Sequence, residues 1–296
     1  MSVKEHPPQH VPVLLDATLA TLCPMKGENY LDLTAGYGGH ARAFLAKTKN
    51  FTDSILVDRD DFAIRNLADF SNKGVRLLHT DFVSAAKTLI QEEKQFSIVL
   101  VDLGVSSPQL DESERGFSFT HNGPLDMRMD RRQTFTARTL VNKASKDELA
   151  KIIVKYGEEP LGAARRIATA IVTHKPIETT GELAEIVKQA HVGKWQKTHP
   201  ATRTFQALRI AVNEELRQVE ELLPLIPRLL KPGGRVGIIS FHSLEDRLVK
   251  QYFAEQNDAG YEAELATVTK KPLSGDMYDV HNPRSRSSKL RVAVKK

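Results

Sequence analysis

Four short apolar runs, each followed by a helix-length segment or a loop, dominate the first third of this sequence. Asn29–Thr34 (NYLDLT), Ser54–Asp58 (SILVD), Val75–Thr80 (VRLLHT) and Phe96–Leu103 (FSIVLVDL) read as strands. Gly39–Lys47, Asp61–Phe70 and Val83–Glu93 read as the helices between them. Strands this uniformly apolar need cover on both faces, and helical connections of this length suit parallel crossovers. The alternation therefore predicts an α/β fold, a parallel sheet layered between helices.

After the fourth strand the pattern changes. Residues Ser106–Gln133 are rich in Ser, Gly, Asp and Arg and read as one long loop, a kind of segment that is usually functional when it occurs in a compact domain. From about Thr136 to Leu222 the signals are helical only: Lys146–Tyr156, Gly162–Thr173, Gly181–Ala190 and Thr202–Leu223. Strand signals return after the turn Lys231-Pro232-Gly233-Gly234, with Arg235–Ser240 as a strand, Leu244–Phe253 as a helix and Leu290–Val294 as a last strand. The expected organisation is one α/β domain, residues 1–107 and 212–296, interrupted by an inserted loop and helical domain, residues 108–211.

Chemistry concentrates where the first strand meets its helix. Asp32-Leu33-Thr34-Ala35-Gly36-Tyr37-Gly38-Gly39-His40 is a glycine loop, where backbone can approach a ligand without a Cβ in the way and helix N–H groups stand ready as donors. Such loops lie at the carboxyl ends of strands, where open α/β sheets bind ligands. Gly36-x-Gly38-x-x-Ala41 also fits the dinucleotide fingerprint, and Asp58, 22 residues after Gly36, can accept the ribose hydroxyls of NAD or of S-adenosylmethionine (AdoMet) alike. Asp32, Asp81 and Asp102 tilt the balance. With Asp58 they place a carboxylate at the end of each of the four strands. An acidic rim suits the sulfonium and ammonium of AdoMet and repels a pyrophosphate. Singly, Asp81 or Asp102 reads as well as a helix cap.

Asp102 opens into Leu103-Gly104-Val105-Ser106-Ser107-Pro108-Gln109, loosely similar to the Asp/Ser-Pro-Pro-aromatic loop of methyltransferases that act on exocyclic amines. There, acceptors aimed at the amine N–H groups would localise a conjugated lone pair, and Asp102 and Ser106 are the candidates for that catalytic role. The same stretch only brushes the hydrolase elbow G-x-S-x-G, since Pro108 stands where that motif ends in Gly. Phe241-His242-Ser243-Leu244-Glu245-Asp246 offers a histidine that a helix N-cap explains equally well.

Composition sets outer bounds. The single cysteine, Cys23, excludes a disulfide framework within the chain and makes a cytoplasmic location the default expectation. No Cys/His spacing marks a zinc site, so no metal is expected. No apolar run approaches the ~18 residues of a membrane span, and the N-terminal residues lack an apolar signal core. The net charge of +5 favours a polyanionic partner, with one basic cluster at Arg128, Arg131, Arg132 and Arg138 and another from Arg284 to Lys296 that contains no acid.

Several segments together resemble one family. They are His10-Val11-Pro12-Val13-Leu14, the Asp32–His40 loop, Asp102–Leu110, Gly116-Phe117-Ser118-Phe119, residues 124–130 (PLDMRMD), 202–210 (TRTFQALRI), 239–246 (ISFHSLED) and 282–291 (NPRSRSSKLR), in order along nearly the whole chain. The sequence is similar to the bacterial RsmH (MraW) family of ribosomal RNA small-subunit methyltransferases. The resemblance implies a Rossmann-like AdoMet-dependent methyltransferase sheet with an inserted all-helical domain. It implies N4-methylation of one cytidine in the decoding region of 16S rRNA, with rRNA or the small ribosomal subunit as partner. It also implies AdoMet contacts at Gly38, Gly39, His40, Asp58, Phe82, Asp102 and Gln109, all present here in their motifs. Leu33, Thr34, Ala35 and Tyr37 occupy variable positions of that loop. The helical insertion is then expected to serve as a lid or RNA platform, with Arg128, Arg131, Arg203 and Arg209 holding phosphates. Trp195 and Phe205 can stack on bases or belong to the core.

The competing readings are an NAD-dependent oxidoreductase, for which neither a nicotinamide half-site nor a proton relay can be placed, and a non-catalytic RNA-binding protein, which has no use for four strand-end acids.

Overall fold

The computed structural model describes residues 12–193 and 199–296; His10, Val11 and Trp195 lie outside the described residues. Eight strands form one sheet: β1 Tyr30–Asp32, β2 Ile55–Asp58, β3 Arg76–His79, β4 Phe96–Asp102, β5 Leu230–Ser240, β6 Leu265–Thr267, β7 Leu273–Ser274 and β8 Lys289–Lys295. Their order is β3-β2-β1-β4-β5-β8-β6, with β7 also pairing β8. β1 to β5 run parallel and β8 turns back antiparallel to β5. The strand order reverses at β1, whose neighbours are β2 and β4. In a Rossmann-like sheet such as this one, that reversal opens a crevice at the carboxyl ends.

Two apolar layers enclose the sheet, and alternate residues of each strand feed opposite layers. Ile98 and Leu100 of β4 join Leu22, Tyr30, Phe44, Leu56 and Leu290 on one side. Val99 and Val101 join Leu31, Val57, Leu89, Val236 and Phe253 on the other. Tyr30 and Phe44 stack with ring centroids 4.7 Å apart, which fixes the helix Gly39–Thr48 against β1.

The chain divides into two compact units, one holding the residues up to Gly104 with Arg217–Lys296, the other Val105–Leu216. The second unit is helical. Its core is built by Leu125, Leu149, Ile153, Ile167, Leu183 and Phe205, so Phe205 is a packing residue. Ser145 and Thr179 start two of its helices, Lys146–Gly157 and Thr180–Gln189, through reciprocal capping bonds with Glu148 and Glu182.

Several elements differ from the sequence expectation. The stretch Thr202–Leu223 is two helices, Ala201–Asn213 and Glu215–Leu222, broken at Glu214, whose φ of 51° is left-handed. The break has a cause in Asn213, which is buried and, besides donating to the Arg209 carbonyl of its own helix at 2.9 Å, bonds to a distant loop. Its Oδ1 accepts from Met129 N–H at 2.8 Å, and its Nδ2 donates to the Met127 carbonyl at 2.7 Å. Asp61–Phe70 also splits, into Asp61–Asn66 and Ala68–Ser71, because Leu67 turns fully inward between them. Lys231–Gly234 does not precede β5 but forms an irregularity within it, where pairing jumps from Phe96–Leu230 to Ile98–Arg235. The Ser106–Gln133 loop contains a short helix, Ser107–Asp111, and a 3-10 turn, Ser113–Arg115. The tail strand β8 is not the sheet's last element in space, since β6 lies outside it. Among the described residues no helix is long and apolar enough to cross a membrane.

The Asn213 arrangement is testable. Replacing Asn213 by Ala leaves buried backbone groups at Met127 and Met129 unpaired and should lower stability by about 3 kcal/mol. Urea unfolding followed by circular dichroism reads this directly, and an unchanged midpoint would remove Asn213 as the clasp of that loop.

Candidate active site

The carboxyl ends of β1, β2 and β4 lie side by side, with Asp32 in register with Leu56 and Leu100. Each end carries an acid. Asp32 is buried; its Oδ2 accepts from the Tyr30 hydroxyl at 2.7 Å and its Oδ1 from Thr34 N–H at 3.2 Å. Asp58 accepts from Gly36 N–H at 2.7 Å and from Asp60 N–H at 2.8 Å. Asp102 donates its own backbone N–H to Thr34 Oγ1 at 2.6 Å, and its carboxylate Oδ2 lies 3.7 Å from His40 Nε2. Among the described residues no Lys or Arg forms an ion pair with any of these three.

Electrostatics follow from this crowding. Burial is the main cause that pushes the Asp32 carboxyl up to about 7, against the bonds from Tyr30 and Thr34 that favour its charge. Burial likewise raises Asp58 to about 6, opposed by the Asp60 and Gly36 amides. Asp102 is held well above the usual carboxylate range by burial first, then by the charges of Asp32 and Glu245. His40 is lowered to about 4 by burial and is therefore neutral at physiological pH, so its contact with Asp102 is no salt bridge there.

The glycine loop is shaped by more than ligand access. Gly36 has φ +52°, and a Cβ there would meet nothing nearer than the Thr34 carbonyl at 4.0 Å; it faces open space. Gly38, at φ +78°, would bring a Cβ to 2.6 Å from the Phe70 ring, and Gly39 to 2.4 Å from Pro12. These two are glycines because the protein packs against them from outside the loop, whatever else they contact.

The structure gathers Gly38, Gly39, His40, Asp58 and Asp102 at one edge of one unit. Phe82 begins the helix Phe82–Gln91 after β3 and is half-buried against the sheet core. Asp81 is its N-cap, accepting from Val83 and Ser84 N–H, so the acidic edge consists of three carboxylates and not four. Ser106 and Gln109 belong to the second unit and bond one another: Gln109 N–H donates to Ser106 Oγ at 3.4 Å, and Ser106 N–H to Gln109 Oε1 at 3.0 Å. His242 caps the helix Ser243–Asp258 in a reciprocal box with Glu245, which accounts for it structurally. Sequence reasoning missed Tyr30 and Thr34, the side chains that hold Asp32 and Asp102 in place. Tyr30 reads simply as an apolar strand residue and Thr34 as a variable loop position.

The arginines divide sharply. Arg128 makes two 2.7 Å bonds to Asp126 and also donates to the Arg131 and Gln133 carbonyls. Arg209 grips Glu215 at 2.9 and 2.8 Å in a mostly buried pair. Arg131 and Arg203 are exposed, Arg203 lying 3.7 Å from Glu159. In the tail, Lys289 and Arg291 both bind Asp246, while Lys295 and Lys296 donate to the Pro227 and Gly260 carbonyls. The tail's basic run is therefore largely structural.

The sequence model of the MraW methylase family matches residues 8–296. The chain belongs to the MraW methylase family. It is similar to the ribosomal RNA small subunit methyltransferase H of Rippkaea orientalis, 45% identical across 96% of this chain and 91% of that one. It is similar to the protein of that name from Trichormus variabilis, 44% identical across 100% and 95%. A solved rRNA methylase from Streptococcus thermophilus aligns over 95% of this chain and 93% of its own at 11% identity and a TM-score of 0.40. The family match takes in the glycine loop and all three edge carboxylates of this MraW-family chain.

The unpaired acids set a pH dependence. In the folded protein Asp32 and Asp58 keep their protons up to about 7 and about 6. Unfolded, they release them near 4, so the stability they contribute is complete below about 4 and is lost as pH rises through 6 to 7. His40, lowered to about 4, works in the opposite sense below about 6.5, one group against the carboxylates. Asp126 and Asp246, lowered by their basic partners, cost stability only as pH falls below about 4. The ligand-free protein should therefore melt higher at pH 5.5 than at pH 8, and Asp32→Asn should flatten that slope. A melting temperature that climbs between these pH values would contradict the assignment.

Proposed function

We propose that this chain transfers a methyl group from AdoMet to the N4 amine of a cytidine in the decoding region of 16S rRNA. The observation that carries the reading is the acidic carboxyl edge, where Asp32, Asp58 and Asp102 form no ion pair with a lysine or arginine among the described residues. A ligand with fixed positive charge relieves the mutual repulsion and desolvation that raise these groups, whereas a pyrophosphate would add to them. The acids thus fit AdoMet and disfavour NAD. The relatives' name, ribosomal RNA small subunit methyltransferase H, supports rRNA of the small subunit as substrate. The site motifs Asp32–His40 and Asp102–Gln109 support the cytosine N4 target through the family resemblance.

AdoMet, when bound, would supply an electrophilic methyl carried on a sulfonium, the C–S bond pair leaving with the neutral thioether S-adenosylhomocysteine. Asp58, already oriented by the Gly36 and Asp60 amides, would accept from the ribose hydroxyls. Gly38, Gly39 and His40 present the first turn of their helix, and Phe82 offers an aromatic face. Gln109 is proposed as a further donor contact. The N4 amine is a weak nucleophile because its lone pair is conjugated with the ring. Asp102 accepts an N4–H bond, which localises that lone pair, and is the candidate to receive the proton N4 sheds as the N–C bond forms. Ser106 is the second candidate acceptor. The neutral His40 beside Asp102 leaves that carboxylate uncompensated and so available as a base. Arg131 and Arg203 are assigned to phosphates, while Arg128 and Arg209 act by holding Asp126 and Glu215. Taking the base out of its stack costs a few kcal/mol, least in a single-stranded target.

Mass spectrometry of rRNA nucleosides from cells with and without the gene tests the product, and loss of N4-methylcytidine is expected in its absence. Asp58→Ala should weaken AdoMet about 10- to 100-fold by calorimetry, the range expected when a charged acceptor is lost. Asp102→Ala should lower kcat about a hundredfold or more in a radiolabelled methyl-transfer assay, the scale of a lost acid–base group; wild-type turnover would refute its role.

A further inference from the structure

The sheet's carboxyl edge does not end at β5. Lys289 pairs with Ser240, the last residue of β5, so the chain entering the antiparallel β8 arrives at the same edge that carries Asp58 and Asp102. The segment 268–288 that leads into it forms a strap. β7 pairs with β8 at Leu273–Leu290, Gly275 N–H donates to the Ser288 carbonyl, and Gly275 lies so close to Ser285 that no Cβ fits. Asp279 ties the strap to the start of the chain by accepting from Leu14 N–H at 2.9 Å. Leu14 is two residues from Pro12, whose ring packs on Gly39. The strap is thus fixed beside the glycine loop.

Its outer surface is unlike an ordinary connection. Met277, Tyr278 and Val280 are 73%, 53% and 63% exposed. The same strap carries the exposed cations Lys270, Lys271, Arg284 and Arg286, against the acids Asp276 and Asp279, of which Asp279 is engaged by Leu14. Arg286 forms no ion pair among the described residues. By contrast Lys289 and Arg291, a few residues on, are both neutralised by Asp246. An exposed aromatic among exposed cations is the chemistry of a single-stranded nucleic-acid platform, where bases stack and phosphates pair.

We propose that the strap 268–288 is a docking surface for a single-stranded stretch of the substrate RNA next to the methylated base. Tyr278 stacks on a base and Arg284 and Arg286 hold phosphates. This rests on the RNA methyltransferase reading above and assigns it a contact surface outside the helical unit.

The test uses the full chain, with naked 16S rRNA, assembled small subunits and AdoMet as separate probes. Two variants, Arg284→Ala/Arg286→Ala and Tyr278→Ala, change only exposed side chains. Filter binding should show RNA affinity reduced about tenfold in each. In the double variant the slope of log K against log salt should fall by about 1.4, two phosphate contacts at ~0.7 each for a single strand. AdoMet affinity by calorimetry should stay within twofold. RNA affinity and salt slope equal to wild type would overturn the proposal. So would normal binding of naked rRNA with binding of assembled subunits impaired, which would mark the strap as a protein-docking surface. A matching loss of AdoMet affinity would make it a support of the donor loop instead. A wild-type protein that binds neither rRNA nor AdoMet would refute the methyltransferase reading itself, a result distinct from these.

Discussion

Three carboxylates at neighbouring strand ends, with no lysine or arginine among the described residues paired to them, are the constraint around which this fold is arranged. A carboxylate drawn out of water needs compensation, and here it comes mainly from neutral donors: the Tyr30 hydroxyl and the Thr34, Gly36 and Asp60 amides. Those donors are insufficient, which is why burial still raises Asp32 and Asp58. Folding bears that cost because the parallel strands, packed on both faces, fix where their ends fall. The sheet's stability resides in its two apolar layers, and its edge is left electrostatically unfinished. On the proposed reading, a cationic ligand completes it.

The same edge explains why one loop is read for two reasons at once. A run of glycines invites the inference that ligand approach demanded each of them. Of the three, only Gly36 opens onto free space, while Gly38 and Gly39 make room for Phe70, Leu67 and Pro12. Packing and binding are not rivals here. The contacts that forbid a side chain at Gly38 and Gly39 also hold the helix start rigid, and a rigid set of N–H donors is what a preorganised site requires.

What could be read from the sequence follows the same division. Short apolar runs between helical stretches specify a parallel sheet because the pattern is repeated and local, and Asp58 and Asp102 fall at strand ends for that reason. Departures arise where one distant partner decides the outcome. Nothing in Thr202–Leu223 announces that Asn213 will bond Met127 and Met129, far earlier in the chain, and so end the helix. Charge counting likewise does not reveal partners. Arg128 and Arg209 look like any basic surface residue until Asp126 and Glu215 are seen to grip them, and the run from Lys289 to Lys296 loses its apparent freedom to Asp246 and two carbonyls. Asp81 shows the reverse case, a strand-end acid that the helix behind it consumes. β6 and β7 are too short to leave a period in the sequence.

The chain carries 42 basic and 37 acidic residues, so opposite charges are available nearly everywhere, and their separation at the carboxyl edge needs a physical reason. Elsewhere the acids are answered at close range: Arg235 meets Glu28, Arg291 meets Asp246, Arg76 meets Glu92. At the edge, acids and strap cations instead stay apart on the same side of the sheet. Had Arg286 paired with Asp102, neither charge would be open to a ligand of opposite sign. If the edge carboxylates hold the donor and the strap cations hold RNA, as proposed, keeping the two signs unmerged lets one sheet edge attract a small cation and a large polyanion together.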